Sequence, residues 1–132
     1  MVWSALTDGF AAALKQAGLW TPERLARLEL AIPRDPAHGD WTTNLALLLG
    51  RELGRPPRAV AESLVAAFPR DPEMFSSLEV AGPGFLNFRY SDAFLSRLPA
   101  RILGEGALDP AARRGFGCFD HARGLRVQVE YV

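Results

Sequence analysis

Apolar residues recur on a helical period at the start of the chain. Trp3, Leu6, Phe10 and Leu14 fall at spacings of three and four, so they share one face of a helix that Gly18 can end. Thr21-Pro22-Glu23 reads as a second helix start, with a hydroxyl to cap it and proline at the first position. The period then shortens. Leu28, Leu30 and Ile32 alternate with Glu29 and Ala31, which predicts a short helical turn followed by a strand. Pro33 to Gly39 has the prolines and glycine of a loop, and Asp40 stands where a helix N-cap belongs. Trp41, Leu45, Leu48, Leu49 and Leu53 supply the stripe of that helix, closed by Gly54. Pro56-Pro57 opens another, in which Val60, Leu64 and Phe68 repeat until Pro69 stops it.

Beyond Pro69 the pattern becomes two-residue. Leu78 and Val80 alternate before Gly82-Pro83-Gly84, and Leu86, Phe88 and Tyr90 alternate after it, predicting an antiparallel hairpin around a tight turn. Ser91 caps a last helix carrying Leu95, Leu98 and Ile102, with Pro99 inside it and Gly104 at its end. The predicted fold is α+β, a two-layer domain with a small antiparallel sheet and helices packed mainly on one face. Residues 1–104 make the domain, 105–124 a surface linker, and 125–132, where Val127, Val129 and Tyr131 alternate, the beginning of another strand.

Composition narrows the function. With 48% hydrophobic and 23% charged residues in 132, the chain suits one soluble globular domain. No apolar run approaches the roughly 18 residues that cross a bilayer, and the first residues lack a basic region followed by an apolar stretch. The cytoplasm is the expected location, with no membrane partner. Cys118 is the single cysteine, beside His38 and His121, so neither a disulfide framework nor a Cys/His zinc site can be assembled. The formal net charge of zero argues against a grip on nucleic acid that relies mainly on released counterions. The charges are uneven, however: seven Arg against four acids lie between Arg89 and Arg126, so a polyanion should meet the second half. Fourteen of the fifteen basic residues are Arg, which suits phosphate recognition and equally suits a GC-rich genome.

The strand after the turn holds the candidate chemistry. Alternation puts Leu86, Phe88 and Tyr90 on a core face and Phe85, Asn87 and Arg89 on the other. An aromatic ring, an amide and a guanidinium in a row are what an unpaired base needs for stacking, edge recognition and charge balance. The alternative is that a neighbouring helix covers Phe85 and Arg89 is merely solvated. Backbone N–H groups around Gly82 and Gly84 could meet a phosphate, although a tight hairpin explains those glycines as well. The turn lacks the longer glycine pattern, helix and lysine of a nucleotide-cradling loop, so ATP binding there is rejected. His38 with Asp35 and Asp40 sits in a proline-broken loop, where Asp40 has a better use as a cap. Cys118 has only His121 nearby, and no serine stands in a nucleophile elbow. No catalytic constellation is present.

Two stretches resemble the N-terminal additional domain of arginyl-tRNA synthetases. One runs from Ile32-Pro33-Arg34-Asp35-Pro36-Ala37-His38-Gly39-Asp40-Trp41-Thr42-Thr43-Asn44 through Gly54-Arg55-Pro56-Pro57-Arg58 to Ala61-Glu62. The other is Val80-Ala81-Gly82-Pro83-Gly84-Phe85-Leu86-Asn87-Phe88. They occur in the family's order and spacing, with Trp41 where tyrosine is commoner and Leu86 for isoleucine. Gly124 to Val132 is similar to the first strand of that family's catalytic domain, whose His-x-Gly-His and Lys-Met-Ser-Lys-type signatures are absent here.

The resemblance implies a domain that packs on the outer corner of arginine tRNA and reads a D-loop nucleotide. Carried over by motif position, Phe85 would stack on that base, Asn87 would bond its edge, and Gly82 would let the backbone approach; Arg89 matches a position that is not a fixed arginine. His38, Asp40 and Asn44 are expected to hold the loop and helix start together. A parent enzyme would use ATP and magnesium to join arginine to tRNA, but no cofactor, DNA partner or catalytic activity is expected of these residues. A free-standing homologue that binds RNA or protein without ligase activity is the alternative.

Overall fold

The computed structural model describes residues 2–104. Met1–Arg97 form one compact unit and Leu98–Val132 a second, of which only the end of a helix up to Gly104 is described. The linker and final strand expected at 105–132 lie outside the described residues, as do Cys118 and His121.

Helix α1 spans Val2–Gln16 and α2 Pro22–Ala26; α3 is Leu45–Leu53, α4 Pro57–Ala67 and α5 Asp92–Gly104. The strands are β1, Trp41–Thr43, β2, Phe75–Ala81, and β3, Phe85–Tyr90. They form an antiparallel sheet of order β1-β3-β2, with β3 in the centre. This is the predicted two-layer α+β arrangement.

Local chemistry explains most element ends. The Thr21 hydroxyl accepts from Arg24 N at 3.1 Å and starts α2. Gly54 takes a left-handed conformation, φ 61°, and its N–H closes α3 on the Gly50 carbonyl. Ser91 Oγ accepts from Phe94 N at 3.1 Å and caps α5, and Pro99 falls within that helix. A surface ion cluster links α2 to α3, with Arg24 and Arg27 both on Glu52. The hydrogen bond from Arg24 leads the effects that hold the Glu52 carboxyl below its ordinary range.

The core lies between the helices and one face of the sheet. Phe88 meets Phe10, Phe68 and Phe75 edge-on at centroid distances of 5.6, 5.4 and 5.7 Å. Contacts of this geometry contribute about 0.5–1.5 kcal/mol each beyond simple burial. Leu6, Leu14, Leu45, Leu49, Val60, Leu64 and Leu86 belong to the same buried cluster. Leu6, Phe10 and Leu14 of the stripe read in α1 therefore lie in the core, as do Val60 and Leu64 of α4 and Phe68 just beyond its end.

Two sequence expectations are corrected. The strand expected at Leu28–Ile32 is reduced to one bridge, Ala31 against Thr42. Asp40 does not cap a helix, and Trp41 does not begin one. Asp40 N donates to the Phe88 carbonyl at 2.7 Å and its Oδ2 accepts from Tyr90 N at 2.8 Å, so Asp40 extends the pairing of β1 with β3. Trp41 donates its indole N–H to the Tyr90 hydroxyl. Helix α3 begins four residues later than expected, behind Asn44. Asn44 accepts from Leu47 N and Leu48 N through its carbonyl, whereas its side chain makes no capping bond and its Oδ1 is buried without a partner among the described residues.

Candidate nucleic-acid interface

Strand register sorts the candidate residues. Leu86 pairs with Thr43 and Val80, and Phe88 with Trp41 and Leu78, all on the core side. The intervening positions form rows on the other side: Ala81 beside Phe85, Thr42 and Glu79 flanking Asn87, and Ser77 beside Arg89. The predicted triplet of Phe85, Asn87 and Arg89 thus shares the sheet face turned away from the core.

Phe85 is 38% exposed and is not sealed under a helix. Asn87 is only 9% exposed and forms part of the groove floor. Its Oδ1 accepts from the Thr42 hydroxyl at 2.8 Å, which leaves Nδ2 as its donor toward the groove. Arg89 is engaged rather than solvated: its Nη2 donates to the carbonyls of Pro36 and Ala37 at 3.3 and 2.9 Å. It therefore ties the Pro33–Gly39 loop to the sheet. Gly82 lies at the turn with φ 52°, has open space where a Cβ would stand, and offers its carbonyl to Arg58 Nη1 at 3.1 Å.

These elements enclose a groove of ≈ 530 Å³. One wall is the turn with Phe85, and the other is the loop carrying Pro33, Arg34, Asp35 and His38. A smaller cleft of ≈ 260 Å³ continues over Ser77, Glu79 and Arg89, sharing His38, Ala81 and Asn87 with the first. The loop wall was missed as a site by sequence reasoning, which assigned His38 a structural role. His38 is exposed and lines both clefts. Asp35 caps the short 3₁₀ turn Pro36–His38 by accepting from Ala37 N, and Gly39 presses against the Phe88 carbonyl, so the loop lies over the sheet face. The available signal was the prolines and glycine of the loop, which show a fixed shape without showing what it leans on.

Groove and sheet together can hold a flat ring on Phe85 and bond its edge from Asn87. Among the described residues no group of three or more His, Cys, Asp or Glu could hold a metal, and no helix is long and apolar enough to cross a membrane.

The fold and site define a class of small α+β domain in which helices cover one face of a three-stranded sheet and a loop borders the other. Residues 4–90 match the family described as the arginyl tRNA synthetase N terminal domain, and the chain belongs to that family. The arginine–tRNA ligase of Cereibacter sphaeroides is 45% identical over 108 residues, covering 82% of this chain and 17% of that protein. That of Geobacillus thermodenitrificans is 38% identical over 120 residues, covering 91% and 20%. The chain thus spans about a fifth of the length of such relatives. The arginyl-tRNA synthetase of Thermus thermophilus superposes with a TM-score of 0.63 at 34% identity, over 76% of this chain and 16% of that one. The Plasmodium falciparum enzyme gives 0.59 at 14% identity over 76% and 18%, a likeness of fold alone.

Proposed function

We propose that this domain recognises arginine tRNA, contacting an unpaired D-loop nucleotide at the outer corner of the molecule, in the service of an ATP-dependent arginine–tRNA ligase whose catalytic residues are not among these. The family and the names of its relatives support tRNA as the partner. The observation that carries the contact is the half-open ring of Phe85 beside the oriented amide of Asn87 in one groove. A base stacks on the ring, the Asn87 Nδ2 donates to its edge, and Gly82 keeps the turn low enough for the backbone to approach. Neutral net charge makes the affinity of the isolated chain weak.

Titration of arginine tRNA against the chain and its Phe85→Ala variant tests this reading. Stacking on an aromatic side chain is typically worth ~1–3 kcal/mol per base, so the variant should bind roughly five- to 150-fold more weakly. Equal binding by both would remove Phe85 from the interface.

A further inference from the structure

Resting on the RNA-binding reading above, we infer that the smaller cleft is a second base site, selective for guanine, with Glu79 as its specificity-determining residue. Glu79 stands directly across from Asn87 on the outward face of the central strand pair. It is exposed, and no described residue bonds or pairs with its carboxylate. The cleft it lines joins the groove of Phe85 through His38, Ala81 and Asn87. Positions two apart on a strand are about 7 Å from one another, which an extended RNA strand can span in one nucleotide step.

A carboxylate is an acceptor only and repels phosphate, so in a cleft facing RNA its favourable occupant is a base edge rich in N–H donors. Guanine presents adjacent donors at N1 and N2, which match the paired carboxylate oxygens, followed by the O6 acceptor. Arg89 is placed to meet O6. Its Nη2 is used on the loop carbonyls, while its Nε and Nη1 have no acceptor among the described residues. Adenine would set its N1 lone pair against the carboxylate, uracil its carbonyl oxygens, and cytosine its N3 and O2. Only guanine offers adjacent donors with an acceptor beside them.

The test is a nuclear magnetic resonance titration of the full chain with single-stranded RNA of sequence U-X-A-X-U, where X is G, A, C or U. Placing X on both sides of the adenine removes dependence on strand polarity. The wild-type chain should bind the G oligonucleotide at least about fivefold more tightly than the others, the lower edge of what one bidentate base contact provides. Glu79→Gln should bring all four within about twofold of one another. The same spectra report that the variant is folded, and Glu79 is a surface residue whose replacement leaves the core intact. An unchanged preference in Glu79→Gln, or none in the wild type, overturns the second site. Phe85→Ala separates the layers of argument: weaker binding of every oligonucleotide keeps the underlying RNA reading, and unchanged binding overturns that reading as well. Absence of any binding by the wild type counts against both.

Discussion

The hydroxyl of Thr42 donates to Asn87 Oδ1 at 2.8 Å across the β1–β3 pair. The bond fixes which end of the amide faces the groove, because an amide that gives its oxygen to a neighbour presents its NH₂. Thr42→Val keeps the shape and removes the donor, so the amide is free to turn. Loss of one such bond should lower stability by about 1–3 kcal/mol, since Asn87 is only 9% exposed and its Oδ1 would lose its donor. Selectivity among bases at the Phe85 groove should fall further than overall stability. Urea unfolding and RNA titration on the same variant separate the effects.

Arg89 positions the loop through Nη2, which donates to the carbonyls of Pro36 and Ala37, and so leaves only Nε and Nη1 for RNA. Arg89→Ala should weaken RNA binding by releasing the wall that carries His38. It should leave the slope of log affinity against log salt unchanged. A true phosphate contact would instead reduce that slope by about 1. Arg89→Lys should resemble the alanine variant, since a single ammonium does not reproduce the planar fork.

Gly39 and Gly82 both have positive φ but should respond differently to substitution. Gly39 has φ 105° and ψ −165°, and a Cβ there would lie 2.5 Å from the Phe88 carbonyl oxygen. Backbone strain of this type costs of order 1–3 kcal/mol before the clash is added. Gly82 has φ 52° with nothing near its missing Cβ, so alanine should cost only about 1–2 kcal/mol. Denaturant midpoints of the Gly39→Ala and Gly82→Ala chains should fall in that order.

Burial raises the pKa of Tyr90 above its ordinary value of 10.0; the Trp41 hydrogen bond opposes the rise, and the nearby Asp40 charge adds to it. The folded state therefore prefers the neutral phenol. The associated stability is fully present below pH 10.0 and is lost as pH rises through the higher folded value. Tyr90→Phe removes this pH-dependent stability along with the Trp41 bond. Denaturation between about pH 8 and pH 11 should show a steeper alkaline loss in the wild type than in the variant. Parallel curves would refute the assignment.

The hairpin and α4 are legible because each runs long enough to display its period. Leu78, Val80, Leu86 and Phe88 alternate, and β2 and β3 pair them as expected. The segment at Asp40 is different. A strand of three residues is too short to show alternation, and an aspartate before Trp41 and Leu45 mimics a capped helix. What decides its conformation is pairing with Phe88 and Tyr90, which are remote in sequence and invisible to a local pattern. The site follows the same division. Alternation alone assigns Phe85, Asn87 and Arg89 to one face. His38 joins them only because Arg89 clasps the backbone before it and Gly39 fits against β3.

Strand β3 assigns alternate side chains to opposite jobs, with Leu86 and Phe88 in the core and Phe85 and Asn87 on the groove face. Losing a single codon from its middle would turn one half of the ribbon inside out, driving an amide and a guanidinium toward the phenylalanine cluster and stranding a benzyl ring in water. Relatives that differ in length should therefore accommodate insertions at the Gly82-Pro83-Gly84 tip or in the Pro33–Gly39 loop and keep the count from Phe85 to Tyr90 constant.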